Sequence, residues 1–375
     1  MALTVLISAC LTDCGPGSGA APATISSTTT ALSAARRPQP VAAAPALSSD
    51  NAGAANWIVT SSVLPGGAIA YTSQAVSPYY ANIAALALAR QRVHLDVVGA
   101  WMQWYVAHLN MPDKWGLSGS IYDYAVGSDG SLTSTLDADS TDSYAATFLS
   151  LARAYYESGD AAAQLYVRSI RSSLSQVASV ILATQQSDGL TIAKPDYPVR
   201  YVMDNAEVYH GALDYATLAG EAFGDAATAQ AWNANAARIA AAINSELWNA
   251  ATNTYYVEMD ANGGKQAASW TTWYPDATAQ LFPIVHGVLA PGASRATSLY
   301  AAFNKHYPAW DQLQIPDAFP WAMVADAAVV MGDTGRALLY VQAVESKYAA
   351  SGFPWPWYCA EAGWFVDTTA LLAAT

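Results

Sequence analysis

The links between helical segments alternate in length along this chain, and that alternation restricts its fold more than any other feature. Hydrophobic periodicity divides the region after residue 77 into about eleven helical segments. They fall near Pro78–Arg90, His94–Asn110, Thr141–Glu157, Ala162–Gln185, Asp204–Glu221, Ala226–Leu247, Asp276–Val288, Ser294–Lys305, Phe319–Met331, Thr334–Lys347 and Ala362–Ala374. Odd segments end in short Gly/Asp-type turns, as at Glu157-Ser158-Gly159-Asp160, Glu221-Ala222-Phe223-Gly224-Asp225 and Gly332-Asp333. Even segments end in long links: Met111–Ser140, Gln186–Met203, Asn249–Pro275, His306–Pro316 and Tyr348–Glu361. Such a chain collects its long loops on one face of a helical scaffold, where ordered loops of that length usually carry function.

Amphipathicity alternates in step with the links. Odd segments are apolar nearly all round, as in Tyr79-Tyr80-Ala81-Asn82-Ile83-Ala84-Ala85-Leu86-Ala87-Leu88, the pattern of a helix buried on every side. Even segments carry one stripe, with Leu165, Ile170, Leu174, Val177 and Ile181 facing in and Arg168, Arg171 and Ser172 facing out. The expected fold is all-α, with inner helices wrapped by outer ones and Thr254–Met259 as the best strand candidate. A content of 53% hydrophobic and 12% charged residues supplies the large core this arrangement needs.

The N-terminal region differs in kind. Residues 15–55 are rich in Ala, Ser, Thr, Pro and Gly without hydrophobic period, which predicts a disordered tether ahead of one domain spanning 56–375. Residues 1–14 read as a leader in which Ile7-Ser8-Ala9-Cys10 resembles a bacterial lipobox, although no basic segment precedes it. That resemblance implies lipid on Cys10 as the sole membrane attachment, and a periplasmic, outer-membrane or secreted protein. Cys10, Cys14 and Cys359 are the only cysteines, so neither a disulfide framework nor a cysteine zinc site is expected. The five histidines lack zinc-type spacing and no phosphate loop is present, so no metal or other cofactor is expected. A net charge of −13 without any basic cluster argues against nucleic acid as a partner. The chain is expected to act as a monomer.

Three local motifs accompany the helix layout: Asp139-Ser140-Thr141-Asp142-Ser143-Tyr144-Ala145-Ala146-Thr147-Phe148, Asp204-Asn205-Ala206-Glu207-Val208-Tyr209-His210-Gly211 and Trp273-Tyr274-Pro275-Asp276-Ala277. From Trp57 to Thr375 the chain resembles the six-hairpin glycosidase superfamily, an (α/α)6 toroid of six inner and six outer helices. The resemblance implies a glycoside hydrolase acting on a poly- or oligosaccharide. With eleven segments, the ring would close one helix short or borrow packing from Trp57–Gln74.

Glycoside hydrolysis uses two carboxyl groups, one protonated to help the leaving oxygen depart and one ionised as base or nucleophile. Asp142, Asp204, Glu207, Asp276 and Glu361 all stand at the starts of inner segments, and Asp142, Asp204 and Glu207 are the expected catalytic set because the motifs hold them. Helix capping would favour acids at the same positions, and Asp204 with Glu207 has capping-box spacing. Gly211 is expected to allow close approach of a neighbouring helix, and Asp214, Asp326 and Asp367 to be structural. Expected substrate-binding residues are Trp115, Tyr122, Tyr124, Asp139, Tyr201, Asn205, Trp270, Trp273, Tyr274, Asp276, Trp355, Trp357 and Glu361. Two other readings compete. A polysaccharide lyase on the same fold would work beside a uronate carboxylate, which the acidic balance disfavours; a non-catalytic lipid-tethered sugar-binding protein would use the rings and leave the acids as caps.

Overall fold

The computed structural model describes residues 49–375; the leader, the lipobox-like cysteine and most of the tether lie outside them. Six helices form a closed inner ring: α2 (Pro78–Gln91), α4 (Thr141–Glu157), α7 (Val202–Glu221), α9 (Phe282–Val285), α11 (Ala322–Val330) and α13 (Cys359–Ala373). Each packs on the next, and α13 closes back on α2. Around them run α3 (Leu95–Ala107), α5 (Ala161–Ser169) with α6 (Arg171–Thr184), α8 (Ala226–Glu246), α10 (Ser294–His306) and α12 (Thr334–Lys347). The predicted inner and outer sets are all found in their places. The missing sixth outer helix is α1 (Ser49–Trp57), which packs on α13 and begins inside the span read as tether. Its hydrophobic residues are mostly alanines, so it shows almost no amphipathic period to a sequence reading.

The segment read as Ala162–Gln185 is two helices, because the backbone at Ile170 (φ −97°, ψ 19°) leaves the helical region. The seventh segment is also broken: a π-helical turn at Trp273–Ala277 precedes α9, which is only four residues long. Pro283 carries no amide hydrogen and cannot bond the carbonyl four residues back, so it sits in the first turn of α9 and the helix does not continue back from it.

Small residues let the inner helices approach closely. A Cβ built on Gly211 would lie 2.6 Å from the Ala146 carbonyl oxygen of α4, as the sequence had implied, and one on Gly363 would lie 2.8 Å from that of Ile83 in α2. Gly211→Ala should therefore destabilise the fold by about 1–3 kcal/mol through overpacking, read as a lowered Tm. On the trimmed face one device recurs: Gly159, Gly224 and Gly332 adopt positive φ after an inner helix, and the next residue, Asp160, Asp225 or Asp333, caps the following outer helix.

The elaborated face is not purely helical. Strands β1 (Ala75–Val76), β2 (Tyr124–Val126) and β3 (Leu132–Ser134) form one antiparallel sheet. Strands β4 (Arg200–Tyr201), β5 (Trp248–Asn249), β6 (Thr254–Met259) and β7 (Lys265–Ala267) form a second, centred on the strand candidate β6. These sheets tie the long loops to one another, so the all-α expectation holds for the scaffold and not for its rim. Among the described residues no helix is long and apolar enough to cross a membrane.

Candidate active site

Three acids predicted from the starts of inner helices meet at the rim between α4 and α7. Ser140, just before α4, places its Oγ 2.6 Å from Asp142 Oδ1 and 2.7 Å from Asp204 Oδ2. One hydroxyl carries one proton, so bridging two carboxyl groups requires a second proton on one of them. Asp142 is the better-stabilised anion, since it also accepts from the Ser143 amide (2.8 Å) and the Thr191 hydroxyl (2.5 Å). Burial nevertheless raises its pKa to about 6. Burial, and next the charge of Asp142, push Asp204 well above the carboxylate range, so Asp204 holds the proton.

Glu207 lies one turn further into α7. Burial and then Asp204 raise it strongly, while the Tyr79 hydroxyl, donating to Oε1 at 2.5 Å, favours its charged form. Across the opening, Tyr274 leaves about half its surface exposed, yet its hydroxyl is raised to about 12 by burial and by Asp139, Asp204, Glu207 and Asp317. One hydroxyl that senses four acids, from the loops before α4 and α11 and from α7, places those acids in one neighbourhood. Asp317, before α11, accepts from the Phe319 amide at 3.0 Å and from the Trp321 indole at 2.9 Å. Asp139 is an exposed residue whose carboxyl is raised by the loss of hydration among its protein neighbours, and Asp123, bonded by the Tyr144 hydroxyl at 2.9 Å, is raised to about 7 by burial.

Aromatic rings continue the wall. Tyr80 lies 4.9 Å from Tyr71 and 5.1 Å from Tyr358, and the exposed Trp355 rests on Tyr71 and Phe319 at 6.3 and 5.6 Å. Tyr201, hydrogen-bonded to Tyr197, senses Glu258 and Asp204 from the side of α7.

Of the expected residues, Asp204, Glu207, Asp139, Tyr201, Tyr274 and Trp355 thus gather around the opening. Others are committed elsewhere. Asp142 is fully buried with both oxygens bonded, so it positions Ser140 and Asp204 and cannot touch a substrate. Glu361 is buried and accepts from the amides of Trp321 and Ala322, anchoring the start of α11, where Trp321 has φ 58°. Asp276 accepts from the Ser269 amide, and Asn205 clasps the backbone of Thr191 and Tyr201. Tyr122 and Tyr124 are buried, the latter against Trp104 and His108. Trp273 packs on Phe303 and Tyr307, Trp357 on Phe353 and Phe365, and Trp270 stacks on His306. The Trp115 ring is covered by Lys114 and Lys194, both bound to Asp137.

Sequence reasoning missed Tyr71, Tyr79, Tyr80, Asp317 and Tyr358. Tyr79 and Tyr80 open the first inner helix just as Asp142 opens the second, and that shared position was the available signal.

No family model matches the chain, and no curated protein sequence does. Solved structures do match in fold. A structure described as a glycosidase superposes with a TM-score of 0.63 at 15% identity, covering 86% of this chain and 96% of its own. A GH63 mannosylglycerate hydrolase from Thermus thermophilus in complex with glucose gives 0.59 at 13% identity, covering 88% and 100%. An alpha-amylase from Clostridium perfringens gives 0.60 at 9% identity, covering 86% and 97%. The chain therefore has the (α/α)6 toroid fold found among glycosidases.

Proposed function

We propose that the protein is a glycoside hydrolase acting on a neutral oligo- or polysaccharide, with Asp204 as the proton donor. The observation that carries this reading is the Ser140 bridge: it leaves a protonated carboxyl on Asp204, a partly exposed residue at the start of α7, backed by the buried Asp142. A carboxylic acid that keeps its proton at neutral pH can protonate a departing glycosidic oxygen. The second carboxyl is assigned to Asp317, which enters the same hollow from a different loop and is held by two N–H donors. Asp139 and Tyr274 bond sugar hydroxyls, and Trp355 with Tyr71, Tyr80 and Tyr358 covers the apolar ring faces. The toroid neighbours named as glycosidases support the class. The lyase reading is weaker because the long-loop cations Lys114, Lys194 and Arg200 are engaged with Asp137 or Asp188.

The test is incubation of the protein with a panel of neutral polysaccharides and oligosaccharides, following new reducing ends and ultraviolet absorbance of unsaturated products. Reducing ends without that absorbance support hydrolysis; absorbance supports a lyase, and binding without turnover a sugar-binding protein. Trp355→Ala should raise KM about 3- to 10-fold, matching the ~0.5–1.5 kcal/mol of a stacking contact. Its Tm should hardly move, since the ring is 58% exposed. The lipobox-like leader would place this activity outside the cytoplasm, which fractionation of cells making the full chain would check.

A further inference from the structure

The segments that precede the six inner helices are joined to one another all the way round the elaborated face. Between α2 and α4, β1 pairs with β2, and the Ser77 and Tyr144 hydroxyls meet at 3.2 Å. Between α4 and α7, Lys194 Nζ donates to Asp137 at 3.0 Å and to the Ala138 carbonyl oxygen at 2.7 Å. Between α7 and α9, β4 pairs with β6, and Arg200 donates to the Asp260 carbonyl oxygen at 2.7 Å. Between α9 and α11, the Tyr307 hydroxyl donates to the Trp270 carbonyl oxygen at 2.8 Å, and the Tyr274 ring lies 5.2 Å from that of Trp321. Phe319 packs on Trp355 and Tyr358 at 5.6 and 5.5 Å between α11 and α13. Tyr71 packs on the same two rings at 6.3 and 5.5 Å between α13 and α2, which completes the circuit.

The bridging residues stand at the surface and the acids lie beneath them. Asp137, Tyr274 and Trp355 are exposed on three sides of the ring, the last two over 53% and 58% of their surface. Glu207 is only 3% exposed, and Asp204 is partly covered. A polymer lying across this face would need two opposite junctions low enough for the chain to enter and leave, with its sugar rings reaching acids set below the bridges. A terminal sugar carries a neighbour on one side only, so it can enter from the solvent without crossing the rim. Strand pairing holds two of the junctions, and hydrogen bonds to backbone carbonyls hold two more. Rotation of single side chains therefore does not open the rim there.

We infer that the site takes its saccharide end-on: the closed rim admits a short oligosaccharide or the end of a chain and excludes a chain's interior. The substrate class is thereby narrowed from neutral saccharides in general to those that present a free terminus, and cleavage removes a small product of constant size from that terminus. The cleavage part of this inference rests on the hydrolase reading. End-on entry is a property of the rim itself and can be tested by binding without turnover.

The experiment uses amylose, mannan and β-glucan, each as a short and a long size fraction. With the wild-type protein, the viscosity of a cleaved long fraction should hardly fall while reducing ends accumulate, and one small sugar should be the product from the earliest times. At subsaturating polymer, the rate per gram should fall in inverse proportion to chain length, because ends per gram do. A steep early loss of viscosity, with a ladder of long fragments, overturns the inference. Calorimetric binding to Asp204→Asn separates entry from chemistry. Half-saturation should coincide for the short and long fractions when expressed per mole of chains. Coincidence per gram instead shows that the chain interior binds, and overturns end-on entry. If the wild-type protein cleaves no saccharide, the hydrolase reading fails, while the binding comparison still decides how a chain enters the rim.

Discussion

Asp204→Asn should lower kcat on an ordinary glycoside by about 10²- to 10⁴-fold, the range for losing a positioned general acid, with KM nearly unchanged. The amide has almost the same shape and can still bond Ser140, so the fold should survive. Much of the loss should disappear on a glycoside with an acidic nitrophenol leaving group, because that oxygen departs without needing a proton. Steady-state kinetics on the two substrates decide the matter: equal losses on both would remove Asp204 from the donor role. Asp142 provides a control with a different signature. Its charge helps to raise Asp204, so Asp142→Asn should lower the Asp204 pKa and move the alkaline limb of the kcat/KM profile to lower pH. A pH profile that does not move would disconnect the two acids.

Folding stability should fall as pH rises from about 4 to about 7. Burial raises Asp142 to about 6, and Asp123 and Glu361 to about 7, above their unfolded values. In this window the folded chain binds more protons than the unfolded chain, so the derivative of unfolding free energy with pH is negative. A carboxyl shifted from 3.8 to about 6 costs on the order of 3 kcal/mol at neutral pH, at about 1.4 kcal/mol per pH unit. Asp214 opposes the trend at the acid end, since its depressed pKa contributes stability that is lost as pH falls below the usual carboxylate range. Tm should therefore peak near pH 4–5. Glu207→Gln removes one of the raised groups, and the difference between its Tm and that of the wild type should grow in its favour from pH 4 to pH 7.5. Thermal unfolding across that range measures both effects, and a wild-type Tm that rises steadily toward pH 8 would contradict the burial assigned to these acids.

The ring architecture could be read from local pattern because each inner helix must bury its whole circumference. That requirement makes α2, α4 and α13 apolar nearly all round, whereas an outer helix such as α6 needs only one stripe. The Gly-Asp turns on the trimmed face were equally visible, since positive φ and helix capping each demand particular residue types at single positions. Helix α1 escaped because alanines buried against α13 carry little periodic signal.

Which residues would share the hollow was only half decided by the sequence. Helix starts brought Asp204 and Glu207 to one rim because a start position determines which end of the scaffold a side chain occupies. Whether a side chain there faces the opening or turns back to cap a neighbour depends on contacts between segments far apart in the chain. Glu361 reaches the amides of Trp321 and Ala322 some forty residues away, Asp142 is enclosed by Ser140 and Thr191, and Tyr79 meets Glu207 across the ring. Periodicity along one helix carries no information about such partners, so packing alone decided that Asp204 stays partly exposed while Asp142 is sealed behind it.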